Sequence, residues 1–304
     1  MHDIGNPPFG HFGELAIREW FVRNLPKLTF CGQRVEEMLD EQMKEDFFHF
    51  EGNAQALRLV TKLHYLVDEH GMNLTYALLG TIVKYPVPST GIDAESGDIR
   101  NRKMGYYRAD EETFRKITEA TGTGDRRHPL AFILEAADDL AYKTADIEDA
   151  FVKGFITYSA LERELKTLGE DSAGCAFRPL EKLRQLYERG MSKSVDNPES
   201  YAVKNWIVRA QGFLISCATY GFTSNYDAIM EGSFGKDLFY GTYGEKLMEL
   251  LGDMAYRYVF SSRAIYKMEL TESAILDFLM DRLVRAVLYY DTDVHQDTVD
   301  SRVV

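Results

Sequence analysis

The sequence predicts an all-α protein, and three of its features support that fold class. Apolar residues recur at helical spacing along most of the chain, as in residues 51–67. Strand signals are scarce, and residues 81–85 are the one short candidate. Glycines and prolines fall between the periodic runs, where they would end helices rather than interrupt them.

The predicted helices follow one another with short breaks. The first begins near His11, and the others cover residues 51–67, 73–83, 113–119, 129–151, 158–168, 179–189, 200–219, 225–232, 243–260 and 270–290. Residues 86–107 are the longest irregular stretch, and such loops in compact domains are usually functional. We expect one helical domain over residues 1–304, with an active-site half at 1–152 and structural or oligomerisation helices at 153–304.

Composition excludes several classes of protein. A chain of 304 residues can bury a large core. The net charge of −13 argues against a broadly basic nucleic-acid surface, although a local positive pocket remains compatible with it. No apolar run approaches the roughly 20 residues of a membrane span, and three widely spaced cysteines do not form a disulfide framework. We therefore expect a cytoplasmic protein with no membrane partner.

The stretch HDIGNPPFGHFGE, residues 2–14, carries the first set of candidate residues. His2 and Asp3 together offer an imidazole nitrogen and a carboxylate oxygen, a donor set that suits Mn, Fe or Mg. The glycines and prolines that follow disfavour a helix until His11. A buried His-Asp pair before a proline turn is the purely structural alternative.

His11 and Glu14 form a second pair in the same stretch. Their spacing of three residues places both on one face of a helix. A carboxylate beside an imidazole raises its pKa and fixes its orientation, which prepares a general acid.

A third set lies on the helix predicted at 129–151. Asp138, Tyr142 and Asp146 are spaced by four residues, so they line one face over about 12 Å. A solvated acidic face is the structural alternative. The helix is otherwise apolar, however, and buried carboxylates are costly without a cation.

Together these motifs resemble the HD-domain phosphohydrolases, and among them the bacterial dGTP triphosphohydrolases. The resemblance implies an all-α HD-type fold with His2, Asp3 and Asp138 as ligands of a divalent metal ion, Mg²⁺ or Mn²⁺. It also implies that His11 is the catalytic histidine and Glu14 its partner.

Three further stretches are similar to the same family: FHFEGNAQ at residues 48–55, and the lysine segments KYP at 84–86 and KMGY at 103–106. The resemblance implies substrate contacts for the residues Asn53, Lys84, Lys103, Tyr142 and Asp146. Of these, the lysines would bind the triphosphate, Tyr142 the sugar and phosphates, and Asp146 the 3′-hydroxyl. Glu51 would lie near the metal-site histidines, or alternatively serve as a first-turn acid favoured by the helix dipole.

The implied reaction is hydrolysis of dGTP to deoxyguanosine and inorganic triphosphate. A water activated by the metal would attack the α-phosphorus, and His11 would protonate the leaving 5′-oxygen. The resemblance also suggests a homo-oligomer, specifically a hexamer, with single-stranded DNA as a candidate partner.

Two departures from the family pattern shape these expectations. The family places another metal-binding histidine before the His-Asp pair, where this chain begins, and it continues beyond a point like Val304. We therefore expect the chain to correspond to the middle of such an enzyme, with weak metal binding and little activity by itself. The alternatives are an HD phosphohydrolase for other nucleotides, or an inactive fragment with a binding or assembly role.

Overall fold

The computed structural model describes residues 2–64, 71–169, 177–290 and 292, without the side chains of His2 and Ala264. In these residues helices dominate and the only strands form one short hairpin, so the all-α prediction is confirmed. The helices are α1 (Gly10–Asn24), α2 (Val35–Met38), α3 (Glu41–Phe48), α4 (Gly52–Arg58), α5 (Tyr76–Ile82), α6 (Glu111–Thr121), α7 (Pro129–Val152), α8 (Tyr158–Lys166), α9 (Pro179–Ser192), α10 (Pro198–Ser224), α11 (Tyr226–Glu231), α12 (Glu245–Ala255) and α13 (Arg263–Leu288). The hairpin pairs β1 (Thr29–Phe30) with antiparallel β2 (Gln33–Arg34).

The chain divides into two compact units. The first consists of Met1–Ala131 together with Lys267–Val304, and the second is Phe132–Tyr266. The first unit is therefore discontinuous in sequence. Its two boundaries fall inside helices, one in α7 and the other in α13.

The core of the first unit is built on one face of α1. Ile17, Trp20 and Phe21 are buried there, and apolar side chains from α2, α3 and α13 pack against them. The indole of Trp20 donates a hydrogen bond to Asp281 on α13 at 2.9 Å. This satisfies the one polar group of a side chain whose burial stabilises the fold by several kcal/mol, about 25 cal/mol per Å² of apolar surface.

An ion cluster fixes the far end of α4. Asp110 is fully buried and accepts a hydrogen bond from Arg58 at 2.9 Å, and the ammonium of Lys62 lies 2.8 Å from its other carboxylate oxygen. A buried carboxylate needs such partners because its desolvation costs several kcal/mol. The cluster ties α4, and the π-helical turn Leu59–Leu63 that continues it, to the start of α6.

The second unit is organised around α10. Asn197 caps this helix by accepting a hydrogen bond from Ser200 N at 2.9 Å, and Pro198 occupies the first turn, where it is tolerated. Trp206 is fully buried and donates its indole N–H to the carbonyl of Pro179 at 2.8 Å, which fixes α10 against the start of α9.

Each predicted helix corresponds to a helix of the structure, whereas several short elements were predicted wrongly or not at all. The strand predicted at 81–85 is wrong: Thr81 and Ile82 complete α5, and an extended connection follows. The helix predicted at 51–67 is α4 followed by the π-helical turn, and its last predicted residues lie outside the described part of the chain. Helices α2 and α3 and the hairpin were not predicted.

The irregular stretch predicted at 86–107 is confirmed, with a 3-10 turn at Ser89–Gly91 as its regular element. The predicted division into halves at 152/153 concerns roles rather than packing, and it stays a prediction. Among the described residues, no helix combines the length and apolarity that crossing a membrane requires.

Candidate functional site

The His-Asp pair lies in a 3-10 turn, His2–Gly5, directly before α1. The amide of Asn6 donates to Asp3 Oδ1 at 3.2 Å, and its backbone N–H donates to the carbonyl of Asp3 at 3.1 Å. The side chain of His2 lies outside the described part of the structure. The turn therefore orients the Asp3 carboxylate from its own chain.

Glycines let this turn pack directly on α4. A Cβ atom at Gly5 would lie 2.1 Å from the carbonyl oxygen of Gly52 and 2.2 Å from the nitrogen of Ala56. A Cβ atom at Gly52 would in turn lie 2.4 Å from the Asn6 side chain. Such distances leave no room for a side chain at either position, so backbone-to-backbone contact places the His-Asp turn beside the start of α4.

His11 and Glu14 pair on the first turns of α1, as the spacing predicted. His11 Nδ1 lies 3.3 Å from Glu14 Oε2, and the His11 side chain is 74% exposed while that of Glu14 is 4% exposed. Glu14 Oε1 accepts a hydrogen bond from the backbone N–H of Gly52 at 2.7 Å. The buried carboxylate is thus fixed by α4 and presents its other oxygen to an accessible imidazole.

Each partner shifts the pKa of the other. The hydrogen bond that the His11 imidazole donates to Glu14 raises the pKa of His11 above 6.5, against burial and the charge of Lys103, which lower it. Burial works to raise the pKa of Glu14, but the hydrogen bond with His11, the charge of Lys103 and the Gly52 N–H outweigh it, and that pKa is lowered. The pair therefore favours a protonated imidazole beside an ionised carboxylate.

Glu51 connects the remaining side chains of this cluster. It is 1% exposed and receives hydrogen bonds from Arg18 at 3.1 Å and from Asn53 at 2.8 Å. The Lys103 ammonium lies 2.9 Å from Glu51 Oε2 and 3.2 Å from Oε1. Arg18 also lies 3.8 Å from Glu14 Oε2, so the two buried carboxylates share one guanidinium.

The two lysines of the predicted triphosphate site lie at either end of the irregular stretch. Lys84 follows α5 and is buried, while Lys103 reaches the Glu51 cluster with its side chain 31% exposed. Gly105 brings the two ends of the stretch together, because a Cβ atom there would lie 1.7 Å from the carbonyl oxygen of Tyr85.

Asp138, Tyr142 and Asp146 lie on α7 within the second unit. Burial raises the pKa of Asp146 to about 6, helped by the charge of Asp149 and opposed by Lys153. Asp146 Oδ2 is buried without a hydrogen-bond partner among the described residues.

Tyr142 is half exposed and stacks nearly parallel on Phe260, with ring centroids 6.4 Å apart. Burial, followed by the charges of Asp146 and Asp138, raises its pKa above 10.

The structure thus unites four of the predicted site residues in the first unit, namely His11, Glu14, Asn53 and Lys103. Their roles, and the position of Asp138 relative to His2 and Asp3, stay predictions. The contribution of Arg18 was not predicted, although its spacing of four residues from Glu14 places the two on one face of α1.

The predicted metal ligands His2, Asp3 and Asp138 supply one imidazole and two carboxylates. In the described part of the chain, no three His, Cys, Asp or Glu side chains form a metal-binding group, and the His2 side chain is not included there. The proposed imidazole and two carboxylates suit a divalent ion of Mg or Mn type. Asn6 donates a hydrogen bond to Asp3, and hydrogen bonds of this kind commonly orient carboxylates that bind a metal ion. The residues fit such an ion in kind.

Comparison with known proteins agrees with the motifs. No protein-family model matches the chain. Proteins named deoxyguanosinetriphosphate triphosphohydrolase-like from Listeria monocytogenes and Listeria innocua are each 40% identical to it over 310 aligned residues, covering 100% of this chain and 64% of theirs. The deoxyguanosinetriphosphate triphosphohydrolase of Yersinia enterocolitica is 34% identical, covering 92% of this chain and 59% of that protein.

The chain therefore spans less than two thirds of the length of these relatives. Because the similarity to the Listeria proteins extends over its whole length, the chain is homologous to these proteins, which are named deoxyguanosinetriphosphate triphosphohydrolase-like.

Proposed function

We propose that this chain carries the catalytic centre of a dNTP triphosphohydrolase that hydrolyses dGTP to deoxyguanosine and inorganic triphosphate. The observation that carries the proposal is the His11–Glu14 pair with the Lys103 ammonium close enough to act on both pKa values. An accessible acid beside a cation is what breaking a phosphoester bond needs. The names of the relatives supply the substrate.

His11 is the proposed general acid. Its imidazole is exposed enough to meet a substrate, and its raised pKa keeps it protonated at higher pH. It donates this proton to the leaving 5′-oxygen as the bond to the α-phosphorus breaks. Glu14 does not compete for the proton because its own pKa is lowered, and it holds the imidazolium in place.

Lys103, whose side chain is 31% exposed, is the proposed triphosphate ligand of the cluster. A lysine ammonium acts as a point charge on phosphate oxygens. Its present partner, Glu51, is fixed independently by Arg18 and Asn53, so Lys103 can turn to phosphate without leaving a buried carboxylate alone. Lys84 and Asn53 are the other proposed substrate contacts of this unit.

A divalent ion completes the proposal, with His2, Asp3 and Asp138 as its ligands and Mg²⁺ or Mn²⁺ as its identity. When bound, such an ion supplies positive charge beside the phosphate and lowers the pKa of water. In the second unit, the unpartnered oxygen of Asp146 is an acceptor for the sugar 3′-hydroxyl, with Tyr142 one turn away. Cytoplasmic location, a hexamer and single-stranded DNA binding stay predictions.

The proposal is tested by assaying release of triphosphate from dGTP with Mg²⁺ or Mn²⁺. Because the chain spans 64% of the Listeria proteins, it is assayed alone and joined to the segments that those relatives carry outside the match. In the active form, His11→Ala should lower turnover by about 10²–10⁴-fold, the usual contribution of a general acid, and leave metal binding intact.

Glu19→Ala is the matched control, because its exposed side chain lies on α1, two turns beyond His11. It should leave turnover unchanged. Release of pyrophosphate or single phosphates instead of triphosphate would refute the reaction. An unchanged rate in His11→Ala would remove this residue from the mechanism.

A further inference from the structure

A buried carboxylate in α3 fastens both ends of a long loop. Asp46 Oδ1 accepts a hydrogen bond from the hydroxyl of Ser89 at 2.7 Å, and Oδ2 accepts one from the backbone N–H of Arg108 at 2.6 Å. Asp46 and Ser89 are each less than 10% exposed. Ser89 lies near the start of the irregular stretch 86–107, here called the loop, and Arg108 directly follows it. One side chain therefore joins points 19 residues apart in the chain.

The backbone closes at the same place. Gly105 donates its N–H to the carbonyl of Val87 at 3.0 Å. Together with the contact between Gly105 and Tyr85, this hydrogen bond closes the base of the loop. We call this base, formed by Tyr85, Val87 and Gly105, the neck. Asp46 binds Ser89, two residues after Val87, and Arg108, three residues after Gly105.

Lys103 lies two residues before Gly105, near the C-terminal end of the loop. Met104 is completely buried with Ala54 and Tyr107, and the Tyr107 hydroxyl donates to the carbonyl of Glu51 at 3.3 Å. Lys103, the residue before Met104, contacts the carboxylate of that same Glu51. The position of its ammonium therefore depends on where the neck holds residues 104–108.

Burying an ionised carboxylate at position 46 carries a desolvation cost. Burial raises its pKa, and Asp40 adds a like charge, although its two hydrogen bonds and Arg58 favour the ionised form. An apolar residue of similar volume would pack here without that desolvation. What an apolar residue lacks is two directed acceptors for two separate chain segments.

We propose that Asp46 is the positioning residue of the loop at residues 86–107, to which the proposed function assigns triphosphate binding: its carboxylate joins Ser89 to Arg108 and thereby sets Lys103 against Glu51. The phosphate-binding role of Lys103 rests on the proposed function, whereas the fastening of the loop does not.

The test compares Asp46→Ala and Asp46→Asn in the 304-residue chain. Asparagine can still accept from Arg108 N and can donate to the Ser89 hydroxyl, so it should behave within roughly twofold of the unmodified chain. Alanine should speed both amide hydrogen exchange across residues 90–107 and acylation of Lys103 by about tenfold, as for loss of a charge-assisted hydrogen bond. Exposed Lys27 serves as the internal reference for acylation.

Asp40→Asn is the matched control. Asp40 approaches Arg108 through its side chain, at 3.2 Å from Nε, and the asparagine can still cap α3. It should leave both rates unchanged. If Asp46→Ala does not fold, Ser89→Ala removes one arm alone and should speed exchange at residues 90–92. Exchange and acylation rates equal to those of the unmodified chain in either folded alanine variant would overturn the proposal.

Binding of inorganic triphosphate, measured by calorimetry, separates this inference from the proposed function. Asp46→Ala should weaken triphosphate binding by about tenfold, and Asp46→Asn should restore it. If Lys103→Ala binds triphosphate as well as the unmodified chain, the phosphate role of Lys103 fails with the proposed function. The acylation and exchange rates still decide whether Asp46 fastens the loop.

Discussion

At the scale of single residues, the role proposed for His11 depends on the Glu14 carboxylate, which α4 holds in place. Glu14 is buried, and the Gly52 N–H fixes one of its oxygens, so the other has one orientation toward the imidazole. A surface carboxylate at the same spacing would be mobile and screened by solvent. Burial of Glu14 therefore supports the proposal that the pair acts as a general acid.

Replacing Glu14 with glutamine should move the pKa of His11 toward its ordinary value of 6.5, because the amide removes the charge and keeps the hydrogen bond to Gly52 N. A raised histidine pKa contributes stability below pH 6.5, and that stability is lost as the pH rises through the folded-state value. Glu14→Gln should flatten this dependence. The measurement is an NMR titration of the His11 ring, with urea unfolding at each pH.

The similar pair on α3 provides the control. His49 Nδ1 lies 3.2 Å from Glu45 Oε2, so Glu45→Gln removes the same kind of charge at another histidine. The His11 titration should not respond to that change. If His11 titrates identically in the unmodified chain and in Glu14→Gln, Glu14 does not prepare it.

Asp146 should titrate near neutrality. Its pKa of about 6, raised mainly by burial, means that the folded chain binds a proton more tightly than the unfolded chain does. The free energy of unfolding should therefore fall as the pH rises from about 3.8 to about 6, and Asp146→Asn should remove this part of the dependence. Urea unfolding at pH 4 and pH 7 measures it. An equal change between the two pH values in both proteins would place the Asp146 pKa at its ordinary value.

Side-chain pairs that are close in sequence were predictable, and pairs that are distant in sequence were not. The His11–Glu14 contact follows from three-residue spacing on a helix, and the structure has it. Glu51 receives Arg18 from 33 residues away and Lys103 from 52 residues away. No local pattern specifies partners at such separations, since they depend on how α1, α4 and the loop pack.

At the scale of elements, short segments decided where prediction failed. The β-branched residues near position 82 favour a strand locally, yet Thr75 caps α5 by accepting from Leu78 N at 3.3 Å, and Gly80 packs at the His128 ring. Helix α3 had a readable start, because Asp40 caps it by accepting from Met43 N at 2.8 Å. Its eight residues were too few to show a period.

The contact between the His-Asp turn and α4 predicts a sharp effect of one methyl group. Gly5→Ala would place a Cβ atom 2.1 Å from a backbone carbonyl that cannot move without α4. Overpacking usually destabilises by about 1–3 kcal/mol, and backbone obstruction should reach the upper end of that range or exceed it. Urea unfolding gives the free energy, and circular dichroism reports helix content.

Gly212→Ala is the matched control for the same chemical change. Gly212 lies inside α10, and a Cβ atom there would meet nothing within 4 Å beyond the backbone of its own helix. Alanine should stabilise that helix by roughly 0.5–1 kcal/mol. Equal effects of the two substitutions would mean that the turn does not pack against α4 as described.

At the scale of the whole molecule, fold class was predictable and the division into units was not. Helical periodicity identifies an all-α chain wherever it is long enough to read. The first unit, however, includes residues from both ends of the sequence, and Trp20 donates to Asp281 across 261 positions. The apolar faces of α1 and α13 each require a partner, and neither face specifies which one.

The metal proposal concerns His2 and Asp3 in the turn that precedes α1 and Asp138 in α7. If the three residues share an ion, calorimetric titration with Mn²⁺ should give one site per chain. Asp3→Ala and Asp138→Ala should each weaken that site by at least about tenfold, since each removes one of three protein ligands. Asp149→Ala removes an exposed carboxylate from the same helix as Asp138 and should change affinity little. Undiminished affinity in Asp138→Ala would show that α7 supplies no ligand, and a loss in all three variants alike would show that general charge, rather than coordination, attracts the ion.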